Sequence, residues 1–141
     1  MRAIGQAEVA LELMCKRSLS RTAFGKPLAQ LGANFDIIAD ARMEIEMARL
    51  LCLKAAWMMD QGDPRAAAPW ISKIKVVAPI MALKVVDEAI QLHGAGGISQ
   101  DTPLAAYWMH LRTLRLADGP DAVHRRQVAR AELRKHTQEK I

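Results

Sequence analysis

Two apolar rows share one helical segment between Trp70 and His93, and they constrain the fold more than any other feature. Ile71, Ile74, Ala78, Met81, Val85 and Leu92 form one row. Val76, Ile80, Leu83, Val86 and Ile90 form the second. Residues three or four apart share a helix face. A helix with two apolar faces needs neighbours on both, so this one belongs at the centre of a bundle. The spacing predicts a helix from about Ala67 or Trp70 to His93. Pro79 should kink it or locally break its hydrogen bonding.

Its neighbours are predicted by the same reasoning. Ile38, Ile45, Cys52 and Met59 recur at every seventh position of a helix running from about Asn34 to Gln61. Ala41, Ala48 and Ala55 follow the first three of them and allow close helix approach. Gly62-Asp63-Pro64 stops this helix. Ile4, Ala7, Leu11 and Met14 mark an earlier helix from Met1 to Arg17. It begins in mid-pattern, as an internal cut through a larger protein would. Gly25 and Pro27 punctuate the break from Ser18 to Pro27. After His93, the segment from Gly94 to Thr102 reads as a glycine-rich loop. Pro103 opens a helix to about Leu116, and Asp118-Gly119-Pro120-Asp121 precedes a charged helix to about His136. No run alternates with the period of a strand, and aromatic residues make up only 4% of the chain, which argues against a sheet protein. The expected fold is one all-α domain over residues 1–141, an up-and-down four-helix bundle with an additional C-terminal helix.

The net charge of +5 is a weak pointer to an anionic partner, and a solvated basic face explains it as well. Cys15 and Cys52 lie in apolar helical patterns, so a reducing compartment is expected rather than a disulfide framework. No uninterrupted apolar run reaches the roughly 20 residues that cross a bilayer. The N-terminus lacks a signal-peptide layout. These features suggest a soluble, intracellular protein with no membrane span.

Three segments could carry chemistry. In Gln91-Leu92-His93-Gly94-Ala95-Gly96-Gly97-Ile98 the glycines permit positive φ and close approach of backbone amides to a phosphate. A glycine helix cap and tight connection is the alternative. In Arg21-Thr22-Ala23-Phe24-Gly25-Lys26-Pro27, Arg21 can fork onto a pyrophosphate and Phe24 can pack on an adenine ring. The alternative is a surface loop anchored by Phe24. In Asp118-Gly119-Pro120-Asp121, Asp118 is either a helix-start residue or a carboxylate facing a cleft as a base. His93, His110, His124 and His136 have no mutual ligand spacing, so no metal site is expected.

These motifs, in this order on a helical frame, resemble the C-terminal domain of the acyl-CoA dehydrogenases, over about Gln6 to Lys135. The resemblance implies FAD as cofactor. Arg21 matches the residue on its pyrophosphate, and Phe24 the one beside its adenine portion. Gln91, Gly94, Gly96 and Gly97 match a loop that reaches the FAD of the neighbouring subunit, with Ala95 in place of a family glycine. Asp118 takes the position of the catalytic base, usually Glu. The wording from Leu116 to His124 looks like the branch that uses Asp there, fused in animals to a kinase-like domain. Pro120 replaces a Thr that helps hold FAD, His124 stands where Gln is usual, Ala122 where an acidic residue is common, and Gly32 where many relatives have Gln.

The implied reaction is α,β-dehydrogenation of an acyl-CoA thioester. Electrons would pass on to an electron-transfer flavoprotein, in a homodimer or homotetramer. The family builds much of the pocket from an N-terminal helical domain and a middle β-domain, which these residues do not include, so the chain alone should show no turnover. The expected location is the cytoplasm of a bacterium, or a mitochondrion or peroxisome of a eukaryote. Two other readings compete: a catalytically inactive helical oligomerisation or interaction module, and a basic nucleic-acid-binding bundle. The second rests only on charge and is disfavoured, because the last helix also carries Asp121, Glu132 and Glu139.

Overall fold

Small residues set the spacing of the helices. Helix α2 (Asn34–Asp60) buries Ala41, Ile45, Ala48, Cys52 and Ala55, the seam expected from its seven-residue period. Only the ends of that seam depart from it. Ile38 is half-buried, and Met59, in the last turn, is exposed. Helix α1 (Arg2–Ser20) buries Ala3, Ile4, Ala7, Ala10, Leu11 and Met14 along one stripe. Helix α3 (Pro64–His93) buries Val76, Ala78, Met81, Leu83, Val85 and Val86, drawn from both of its rows. The computed structural model describes residues 1–137, and Glu139 lies outside the described residues.

Helix α3 is the centre, touching every other α-helix among the described residues. Two of its partners run antiparallel to it. Glu44 of α2 pairs with Lys84 of α3, and Cys52 shares a cavity wall with Ala78, so α2 lies antiparallel to α3. Helix α5 (Leu104–Leu114) also runs back along α3. Its Trp108 indole donates to Asp87 at 3.2 Å, and its last carbonyl meets Lys75. Leu104 and Leu111 of α5 are fully buried, worth roughly 1.5–3 kcal/mol each. Helix α6 (Asp121–Leu133) has no buried residue and lies on α3, where its Gln127 accepts a hydrogen bond from Ser72. This is the all-α bundle with an additional C-terminal helix that the periodicities predict.

Three local features differ from the sequence-based expectation. Helix α3 starts at Pro64, earlier than the apolar rows suggest. The Asp63 carboxylate accepts from the amides of Arg65 at 2.9 Å and Ala66 at 3.3 Å, and a proline in the first turn has no needed amide to lose. At Pro79 the outcome is the expected local break in hydrogen bonding, and the chain is helical on both sides of Pro69 and Pro79. The cost at Pro79 is local: the carbonyl of Lys75 loses its helical donor. The segment after His93 is not all loop, since Ala95–Ile98 forms one helical turn, α4. The break between α1 and α2 holds a two-residue hairpin, β1 (Thr22–Ala23) against β2 (Lys26–Pro27), with Thr22 opposite Pro27. A single 3-10 turn, Leu28–Gln30, follows it.

Although no uninterrupted apolar run is long enough, α3 as a whole passes the test for a membrane-crossing helix by length and composition, with a mean hydropathy of 1.3 over its best window. It is the one such helix among the described residues. In this fold its apolar surface packs against α1, α2 and α5.

Candidate functional site

The chemistry-bearing residues fall at two separate places. The first is the turn from Arg115 to Pro120 between α5 and α6. Asp118 has φ 55° and Gly119 φ 100°, so two successive residues sit in the left-handed half of backbone space. Only glycine suits the second position. A Cβ on Gly119 would also approach His124 Nε2 to 3.3 Å. The sharp reversal leaves Asp118 exposed on the wall of a cavity of about 290 Å³, shared with Arg2, Ile71, Ile74, Lys75 and Leu114. Its carboxylate makes no hydrogen bond or ion pair among the described residues.

The turn is held from outside. Arg115 closes its base by donating Nε and Nη2 to Asp121 Oδ2 at 2.8 and 2.7 Å. Lys75 Nζ donates to the carbonyls of Leu114 at 2.6 Å and Gly119 at 3.3 Å. His124 Nε2 donates to the Asp118 carbonyl at 3.1 Å. The sequence reading assigned none of these contacts. Arg115 and Asp121 left a signal, opposite charges flanking a turn. Lys75 left none, because it reaches the turn from 39 residues away in sequence. Asp118 is not the helix cap, since Pro120 occupies that position.

The second place is the end of the bundle where α1 and α3 finish and α2 begins. Arg21 caps α1 through its backbone, with its amide on the Arg17 carbonyl at 3.0 Å, while its guanidinium is exposed and unpaired among the described residues. Phe24 occupies the tip of the hairpin with φ 49° and is 96% exposed. The alternative in which Phe24 anchors a surface loop therefore fails. Gln91 is exposed on the last turn of α3.

The glycines divide by role. Only Gly94 takes positive φ, at 64°, ending α3. Gly97 is buried because its α-carbon packs on α3, where a Cβ would lie 2.7 Å from the Ile90 carbonyl oxygen. Gly96 has neither constraint, with nothing within 4 Å of the place a β-carbon would take. Gln91 lies sixteen residues beyond Lys75 along α3, roughly 24 Å at the helical rise. The structure thus brings Arg21, Phe24 and the Gln91–Gly97 segment to one end of the bundle and separates Asp118 from them.

A family model described as the acyl-CoA dehydrogenase C-terminal domain matches residues 1–133. The chain belongs to the acyl-CoA dehydrogenase family. Among curated relatives of this family, the Mycobacterium tuberculosis protein named "Probable acyl-CoA dehydrogenase FadE2" is 53% identical over 133 residues, spanning 94% of this chain and 33% of that protein. The structure described as that of "a putative acyl-CoA dehydrogenase from Mycobacterium abscessus" superposes with a TM-score of 0.96 at 59% identity, covering 97% of this chain and 34% of that one. Butyryl-CoA dehydrogenase from Megasphaera elsdenii superposes at 0.86 with 33% identity, covering 93% and 34%. The chain therefore spans about a third of the length of these acyl-CoA dehydrogenases. The family inferred from three short motifs is the one that whole-chain comparison shows.

Proposed function

We propose that this domain supplies the catalytic base and part of the FAD site of an enzyme that dehydrogenates an acyl-CoA thioester between its α and β carbons. The observation that carries this reading is the Asp118 carboxylate. It is free of partners among the described residues, presented on a left-handed turn and placed at the mouth of a cavity, so it has no evident task in the fold. Butyryl-CoA dehydrogenase, similar to this chain in fold and sequence, points to the substrate class.

Asp118 would take the α-proton, and bound FAD supplies the acceptor for the hydride leaving the β-carbon. On this chain Asp118 stands exposed. Water must be excluded before a carboxylate becomes a strong enough base, and an N-terminal helical domain and a middle β-domain would complete that closure. The domain by itself should therefore not turn over.

The other end of the bundle fits a dinucleotide. Arg21 offers an unpaired guanidinium for a pyrophosphate, Phe24 an exposed ring for the adenine portion, and Gly96 a backbone that no packing occupies. Gln91 lies roughly 24 Å along α3 from Lys75, which holds the Asp118 turn, so this end would serve the FAD of a second copy. Gln91 and Gly94 at the close of α3 would complete that contact, with Gly97 holding the segment in place. The exposed apolar residues Met43, Met47, Leu50, Leu53 and Trp57 of α2 support assembly as a homodimer or homotetramer. An electron-transfer flavoprotein would reoxidise the flavin. The site of action would be the cytoplasm of a bacterium, or a mitochondrion or peroxisome of a eukaryote.

Titrating the chain with FAD, followed by flavin fluorescence beside a sedimentation run, tests the half-site. Binding by a dimer, weakened by Arg21→Ala, is expected. A folded oligomer that ignores FAD would mean that this chain is a scaffold by itself, with cofactor binding resting on other domains.

A further inference from the structure

We infer that Lys75 is a positioning residue for Asp118, acting through the backbone of the turn that carries it. This role deepens the reading of Asp118 as the base and rests on it. No backbone hydrogen bond outside the helices involves Asp118 or Gly119 among the described residues; those around them end at the Ala117 amide and resume at that of Val123. A non-glycine residue stays in the left-handed region only where its surroundings over-determine it. Two side-chain donors do so here: His124 Nε2 on the Asp118 carbonyl at 3.1 Å, and Lys75 Nζ on the Gly119 carbonyl at 3.3 Å.

The two are not equivalent. His124 belongs to the first turns of α6 and moves with the turn it holds. Lys75 comes from α3, the central helix, so of these two donors it is the one that ties the turn directly to that helix. Lys75 is half-buried, and drawing a charge from water is costly without compensating hydrogen bonds. It has no carboxylate partner among the described residues, and both of its hydrogen bonds go to backbone carbonyls, of Leu114 and Gly119. One bond closes the C-terminal end of α5 and the other catches the turn beyond Asp118. Lys75 therefore sets the height of Asp118 above α3. It also lines the Asp118 cavity without pairing with the carboxylate, which leaves the base free to act.

The test uses the full-length enzyme that carries this domain, comparing Lys75→Met, Lys75→Arg and Asp118→Asn. Displacing a reacting group by about 1 Å costs on the order of a hundredfold in rate. Lys75→Met should thus lower kcat by roughly that factor, while KM for the acyl-CoA and FAD content stay within about twofold. Lys75→Arg, which keeps charge and donors within reach of both carbonyls, should recover about tenfold of the loss. A helix-capping role alone would lower the melting temperature and leave kcat unchanged in the folded enzyme. If kcat is unchanged in Lys75→Met while Asp118→Asn abolishes turnover, the positioning role is overturned and the base assignment stands. If Asp118→Asn retains turnover, the base assignment itself has failed. If neither Lys75 variant yields folded, FAD-loaded enzyme, Lys75 is structural and the inference is equally overturned.

Discussion

Replacing Gly97 with Ala should unseat α4 from α3, whereas the same change at Gly96 should leave the fold intact. A Cβ on Gly97 would lie 2.7 Å from the Ile90 carbonyl oxygen, 2.8 Å from the Ile90 α-carbon and 3.1 Å from the His93 β-carbon. Ordinary contact between such atoms is about 3.5–4 Å, so α4 must withdraw by roughly 1 Å. The atoms in the way are mainly the backbone of the central helix, which cannot swing aside as a side chain can. Overpacking costs about 1–3 kcal/mol, and this geometry belongs at the upper end. The helical preference of Ala over Gly returns roughly 0.5–1 kcal/mol. A net loss of about 2 kcal/mol remains, which in a domain of this size lowers the melting temperature by roughly 4–8 °C.

At Gly96 nothing lies within 4 Å of the added carbon and φ is not left-handed, so Ala should be neutral or raise stability by up to about 1 kcal/mol. Thermal and urea unfolding of the purified variants measure both. In the same samples Gly96→Ala should weaken FAD binding, because the added methyl would stand where the cofactor has to approach. An unchanged midpoint for Gly97→Ala, or equal losses for the two variants, would refute this division of roles.

Two further outcomes follow from the ion pairs. Arg115→Met should cost about 1–3 kcal/mol in chemical denaturation, because Asp121 is largely buried and its Oδ1 already lacks a partner. A loss below about 0.5 kcal/mol would mean the pair does not hold the turn. The Glu8 carboxylate is held below its ordinary value of 4.5, chiefly by the Arg42 fork at 2.8 Å on each oxygen and also by the charges of Arg42 and Arg49, with burial acting against them. A lowered folded pKa contributes stability that is present above the unfolded value and lost as pH falls through the folded one. Stability of the parent chain should therefore fall more steeply below pH 4.5 than that of Glu8→Gln, and identical acid limbs in melting curves would contradict this.

The sequence by itself determined the five long helices, their order and the central place of α3. Those follow from periodicities within single segments, and the apolar rows of α3 and the alanine seam of α2 are such patterns. Short motifs also sufficed for the family, because their order along the chain is independent of how the chain packs. Tertiary structure decided what each residue in a motif does. Gly94, Gly96 and Gly97 look alike in sequence, yet one ends a helix, one has open space where a β-carbon would stand and one packs on Ile90. Phe24 could have been an anchor until its exposure was known. Lys75 was one lysine among many until it was placed against carbonyls 39 and 44 residues away. A contact between a side chain and a distant backbone depends on how the helices are laid side by side, and it leaves no period or composition in the chain that makes it.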